Sequence, residues 1–139
     1  MALRGAEVKV GEIHEQVLVD DLTRTQIVQY AGASGDYNPL HTDAVYARDA
    51  AGYPGVFAHG MLAMGMTARA VTDLVGDGRL TRYGVRFKSQ VWPGDRLTAR
   101  VTVAGLREAD GVSLVDLDVV TVNARGEEVI AGYASARVD

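Results

Sequence analysis

The second half of the chain alternates between apolar and polar positions. Across "RYGVRFKSQV", Tyr83, Val85, Phe87 and Val91 are set against Arg82, Arg86, Lys88 and Gln90, the period of two of a half-buried strand. "RLTARVTVAGL" repeats the pattern through Leu97, Ala99, Val101 and Val103. "VSLVDLDVVTV" and "EVIAGYASARV" follow the turn sequences "READG" and "NARGE", and "WPGD" marks a turn before them. Four successive strands on short turns predict an antiparallel meander. Residues 5–19, "GAEVKVGEIHEQVLV", predict one or two further extended segments.

The first half has helical signals. In "LTRTQIVQYAGAS", Thr23 can cap, Gln26 completes a capping box, and Leu22 with Ile27 can form a hydrophobic staple. This helix should end near Ser34, because Gly35 follows and Pro39 disfavours helical geometry at Asn38. Thr42 can cap a second short helix over roughly Asp43 to Ala50. "AHGMLAMGMTARAVTDLVG" is apolar almost all round, with no polar stripe until Arg69 and Asp73, which predicts a buried helix. Its many small residues would let a sheet approach closely. The economical packing is a curved antiparallel sheet wrapped around this helix, an α+β arrangement in one domain spanning residues 1–139.

Composition narrows the function. The 139 residues include no cysteine, which excludes a disulfide scaffold, a thiolate nucleophile and Cys-ligated zinc. A net charge of −4 without a basic run argues against nucleic acid as partner. Neither an apolar leader nor a run of about 18 apolar residues is present, so a cytoplasmic protein with no membrane partner is expected. There is no G-x-S-x-G, P-loop or dinucleotide fingerprint, and no cofactor is implied. His14, His41 and His59 are not at metal-helix spacing, so no metal is expected.

The chemistry that remains lies in two stretches. "YAGASGDYNPLHTDA" places Asp36, Asn38 and His41 within six positions. A carboxylate and an imidazole held together can share a water and move its protons, while the Asn38 amide can fix the carboxylate or a substrate. The same residues are also good turn formers, and His41 could be a partly buried residue beside a cap. "FAHGM" opens the apolar helix, where unpaired N–H groups can take an oxyanion and Gly60 has no side chain to block its own N–H. Here the alternative is that Gly60 only permits close packing and that His59 only caps or packs. Arg82, Arg86 and Lys88 share one strand face, with Arg96 and Arg100 following nearby. Such cations suit a small anionic ligand, or form an ordinary solvated face.

Taken together, "YAGASGDYNPLHTD", "FAHGML" and "VRFKSQVWPGD" resemble the MaoC-like hydratase/dehydratase family, from about Thr23 to the end. The resemblance implies a hot-dog fold, in agreement with the helix-in-sheet packing. It implies that Asp36 and His41 are the catalytic pair, that Asn38 supports their hydrogen bonds, and that the Gly60 N–H binds the thioester oxygen. The reaction implied is reversible addition of water to a trans-2-enoyl thioester of coenzyme A or acyl carrier protein, giving the (R)-3-hydroxyacyl thioester. Arg86 and Lys88 are candidate carrier contacts, and a homodimer is expected. Pro54, five residues ahead of His59, departs from the family's usual proline position, and the short Asp43–Ala58 connection leaves no obvious tunnel for very long chains. The competing readings are a hot-dog thioesterase and an idle acyl-thioester-binding subunit. Thioesterases of this fold generally carry an acid on the central helix, where this chain has none before Asp73.

Overall fold

The computed structural model describes residue 3 and residues 5–139. Met1, Ala2 and Arg4, part of the N-terminal stretch in which no leader was read, lie outside the described residues. The segment predicted as extended over 5–19 is a strand only over Ile13–Val19 (β1), preceded by a 3-10 turn at Gly5–Glu7. Helix α1 covers Arg24–Ser34, as its caps predict. The Thr23 hydroxyl accepts from the Gln26 N–H at 3.0 Å, and the Gln26 side chain accepts from the Thr23 N–H at 2.9 Å. Leu22 and Ile27, the two halves of the staple, are both buried. Helix α2 spans Gly60–Val75, and strands β2 to β5 cover Leu80–Phe87, Leu97–Ala109, Val112–Val122 and Glu128–Arg137.

All five strands form one antiparallel sheet in the order β1-β3-β4-β5-β2. Only β3, β4 and β5 are a meander; the expected four-strand meander is corrected, because β2 pairs with β5 and not with β3. "WPGD" does turn the chain, but residues 88–96 make bonds elsewhere before β3 begins. The Lys88 N–H donates to the Val129 carbonyl at 3.0 Å, Val91 accepts from Ala58 at 2.8 Å, and the Gly94 N–H donates to Leu22 at 2.6 Å. These bonds carry the chain across the end of the sheet. The β2–β5 contact is close: a Cβ at Gly132 would lie 2.0 Å from the Gly84 carbonyl oxygen, so only glycine fits there. Strand order also separates the cations that looked adjacent in sequence. Arg96 pairs with Asp20 at 2.9 Å and Arg100 with Glu15 at 2.9 Å, on the β3 side of the sheet, with β4 and β5 between them and Arg82, Arg86 and Lys88.

The sheet's concave face meets α2. Val71 and Val75 pack with Val101, Val103, Val115, Leu117 and Val119, each such burial contributing about 1.5–3 kcal/mol. A second cluster joins Leu22 and Ile27 to Ala58, Ala63, Val91, Leu97 and Ile130, and so anchors α1 and the loops around the start of α2. Between the layers the Thr67 hydroxyl donates to the Ala63 carbonyl at 2.8 Å and accepts from the Thr121 hydroxyl at 2.7 Å. The apolar helix is buried on one side only, which corrects the expectation of burial all round. Met61, Gly65, Arg69 and Asp73, four apart, form an exposed stripe, because the sheet curves around just the opposite face. No helix of the described residues is long and apolar enough to cross a membrane.

Candidate active site

The site begins where α1 stops. Gly35 takes the left-handed conformation at φ 74° and bonds back to Ala31, which turns the chain sharply out of the helix. A ladder of short side chains then shapes the loop. Ser34 Oγ accepts from the Asp36 N–H at 3.2 Å, Asp36 Oδ1 from the Asn38 N–H at 3.2 Å, and Asn38 Oδ1 from the Leu40 N–H at 3.0 Å. Asn38 thereby caps a 3-10 turn at Pro39–His41. The turn-forming reading of this stretch is realised, and the same turns fix the position of His41. Asn38 steadies the Asp36 carboxylate through its backbone N–H, while its side-chain oxygen is spent on the turn. The next short helical segment is capped by Asp43 and not by Thr42, since Asp43 Oδ1 accepts from Val45 and Tyr46 at 3.0 and 3.1 Å. It includes a π-helical turn at Tyr46–Ala50.

His41 is buried, and its Nδ1 lies 2.6 Å from the Phe57 carbonyl oxygen. That oxygen can only accept, so Nδ1 carries the proton and Nε2 keeps a free lone pair in the neutral ring. His59 is 2% exposed and stacks on His41 with ring centroids 3.8 Å apart. By the same reasoning its Nε2–H donates to the Asp36 carbonyl at 3.0 Å, which leaves Nδ1 as a buried acceptor without a partner. Tyr30 meets the His59 ring edge-on at 4.8 Å. His59 holds the N-cap position of α2, but its side chain makes no capping bond. Its role in joining the two site segments had no local signal beyond the "HGM" start, because its partners lie 18 and 23 positions away.

Gly60 opens α2 directly after His59; in this first turn the Leu62 N–H bonds back to the His59 carbonyl at 3.1 Å, and the Gly60 N–H precedes the helical ladder. It borders a cavity of about 310 Å³ with Phe57, Ala63, Phe87, Val91 and Ile130. A Cβ on Gly60 would sit 3.0–3.2 Å from the Phe87 ring. Lys88 lines the same cavity and pairs with Glu128 at 2.8 Å. Arg86 does not. It lies in a separate shallow depression with Gly84 and Tyr133. The fold thus gathers Asp36, His41, His59 and Gly60 at one end of α2, brings Lys88 alongside, and leaves Arg86 outside.

A family model described as MaoC like domain matches residues 7–124. The chain belongs to this family. Among relatives of the MaoC-like domain, the peroxisomal enoyl-CoA hydratase 2 of Arabidopsis thaliana is 29% identical over 137 residues, which cover 96% of this chain and 41% of that protein. The mitochondrial 3-hydroxyacyl-acyl-carrier-protein dehydratase of the same plant is 31% identical over 129 residues, covering 92% of this chain and 76% of the relative. The chain therefore spans less than half of the first relative and most of the second. The unliganded (R)-hydratase PhaJ1 of Pseudomonas aeruginosa superimposes with a TM-score of 0.84 at 28% identity, covering 96% of this chain and 83% of that one. The hot-dog arrangement of curved sheet and central helix is shared with it.

Within this MaoC-like domain, one carboxylate and two imidazoles offer atoms that all lie within 4.8 Å of one another. It is the only such trio of ligand-type side chains among the described residues. Chain spacing hides it, since His59 arrives from a different segment. Each imidazole has committed one nitrogen to a carbonyl. What is left uncommitted is a carboxylate, the His41 Nε2 lone pair and, one residue beyond His59, the start of a helix; groups of these types can move protons and receive negative charge.

Proposed function

We propose that the chain is an (R)-specific hydratase/dehydratase interconverting trans-2-enoyl and (R)-3-hydroxyacyl thioesters. The observation that carries this is the clustering of the Asp36 carboxylate with the His41 and His59 rings, immediately before Gly60, which together with Phe57, the residue whose carbonyl holds His41, borders an apolar-walled cavity. Similarity to an (R)-hydratase structure and to an enoyl-CoA hydratase supports it.

In this reading Asp36 and His41 hold the reacting water between them. One takes its proton as oxygen attacks the β-carbon. Charge moves onto the thioester oxygen, where the Gly60 N–H receives it; a donor of this kind typically contributes about 3–4 kcal/mol. The other member of the pair serves the α-carbon. His59 keeps the pair together by tying the Asp36 backbone to the His41 ring. Asn38 supports the carboxylate from its backbone N–H. Lys88, which lines the Gly60 cavity, is the better placed of the two candidate carrier contacts, since Arg86 lies outside that cavity. A thioesterase gains no support, because Asp73 lies on the exposed stripe of α2.

The proposal includes a homodimer. β2 is an edge strand whose last residue, Phe87, is exposed, and Met61 is exposed at the start of α2. A second copy would cover both. Sedimentation of a fully active monomer would refute the dimer. The reaction is tested by following crotonyl-CoA at the enone-thioester absorbance for wild type, Asp36→Ala and His41→Ala, with chiral analysis of the alcohol. The expected result is (R)-product from wild type and a loss of ~10²-fold or more in each variant. Release of free coenzyme A in place of hydration would overturn it.

A further inference from the structure

We propose that a groove lined by Arg24, Arg48 and Arg125 around Trp92 binds the phosphorylated adenosine end of coenzyme A. The inference rests on the enoyl-thioester reaction proposed above for the identity of its ligand. The groove has a volume of about 560 Å³ and contains no carboxylate residue in its lining. Its three arginines come from three separate elements: the first residue of α1, the π-helical turn at Tyr46–Ala50, and the turn between β4 and β5. Arg24 and Arg48 make no ion pair among the described residues, whereas Arg79, Arg96, Arg100 and Arg107 each have a carboxylate partner. Arg125 shares its charge with Glu127 at 2.7 Å, and Asp95 stands near enough to act on it.

Arg24 and Arg48, without a carboxylate partner, and Arg125, whose charge Glu127 shares, line one groove in a chain of net charge −4, an arrangement that an incoming anion would stabilise. Guanidinium forks match phosphate oxygens in pairs. The groove also offers flat apolar surface. The Trp92 indole is half-buried, and prolines flank it at positions 54 and 93. A phosphorylated nucleoside combines those two needs, several negative oxygens and one planar ring.

Position connects the groove to the chemistry. The Ala58 N–H donates to the Val91 carbonyl at 2.8 Å, which holds residues 55–58 beside residues 90–93. The Gly60 cavity uses the Phe57, Ala58 and Val91 end of this ribbon, and the arginine groove uses the Gly55, Val56 and Trp92 end. Phe57 and Trp92 touch edge-to-face at 5.7 Å between the two. Gly55 and Gly60 are five residues apart, so they are separated by at most about 18 Å. The pantetheine arm of coenzyme A spans such a distance. A carrier protein brings a single phosphate at the base of that arm and no base, which leaves the indole and most of the guanidinium donors unused.

The test separates this assignment from the reaction. Adenosine 3′,5′-bisphosphate is titrated calorimetrically into wild type, Arg24→Ala/Arg48→Ala and, as a control of charge, Arg82→Ala. The expected result is binding that weakens about tenfold or more in the double variant and is unchanged in the control. In parallel, the ratio of kcat/KM for crotonyl-CoA over crotonyl-pantetheine should fall about tenfold in the double variant. Absence of bisphosphate binding to wild type, or equal binding by the double variant, overturns the inference. So does a double variant that loses activity on a crotonyl carrier protein while its bisphosphate binding is intact. Wild type that binds the bisphosphate yet hydrates neither thioester supports the groove and sinks the reaction.

Discussion

Gly60→Ala tests the start of α2 as an oxyanion donor, because its effects on stability and on activity should part company. Gly60 has no left-handed φ, so alanine suits the backbone, and a helix interior prefers alanine to glycine by about 0.8–1.0 kcal/mol. At the first helical residue the gain is smaller. Against it stands the Phe87 ring, whose Cε1, Cδ1 and Cζ would lie 3.0, 3.1 and 3.2 Å from the new methyl. Phe87 is 53% exposed, so the ring can swing aside, at an off-rotamer cost of about 0.5–1.5 kcal/mol. The two terms nearly cancel. Thermal unfolding followed by circular dichroism should move by no more than about 4 °C, roughly 1 kcal/mol for a chain of this size. Activity has no such compensation. The methyl and the displaced ring crowd the space in front of the Gly60 N–H, and denying one donor costs about 2.7–4 kcal/mol, or 10²–10³ in kcat. The assay is the decay of the crotonyl-CoA absorbance beside the melt. A folded Gly60→Ala protein that works within about threefold of wild type, far below the expected 10², would show that the thioester oxygen does not use this N–H. Adding Phe87→Ala relieves the ring but not the methyl, so recovery in the double variant would place the blockage in Phe87.

Three other outcomes follow from the geometry. His59→Phe keeps a ring stacked on His41 and removes the buried, partnerless Nδ1, but gives up the bond to the Asp36 carbonyl. Stability should stay within about 1 kcal/mol while hydration falls about tenfold or more; unchanged kinetics would remove His59 as the tether. Thr23→Ala breaks the capping box of α1 and should cost about 1 kcal/mol in urea melts, with Thr23→Ser restoring it. Burial pushes the Tyr83 phenol from 10.0 up to about 12, the opposing bond from Thr67 being weaker. Because the folded value lies above the unfolded one, this contribution is complete below pH 10 and is lost as pH rises towards 12. Two units would correspond to about 3 kcal/mol for a fully buried group, and partial exposure makes the loss smaller. Urea melts at pH 9 and 11 should show it in wild type and not in Tyr83→Phe; equal losses in both would refute the cause.

Much of this was already written in local spacing. The Thr23–Gln26 box and the Leu22–Ile27 staple need only contacts within one helical turn, so α1 formed where its sequence placed it. The strands likewise follow from a period of two, which any pleated chain must obey. Asp36, Asn38 and His41 could be singled out because turns linking near neighbours hold all three. The pairing of β2 with β5 could not be read, because a strand's own pattern shows which face is buried and not which neighbour it bonds. The same limit hid the open stripe of α2, since an apolar helix does not specify how far a sheet will curve around it. It also hid the stack of His59 on His41 and the placement of Arg24, Arg48 and Arg125 around one groove. These groupings join residues 18 to 101 positions apart, and only the tertiary fold brings such distant segments together.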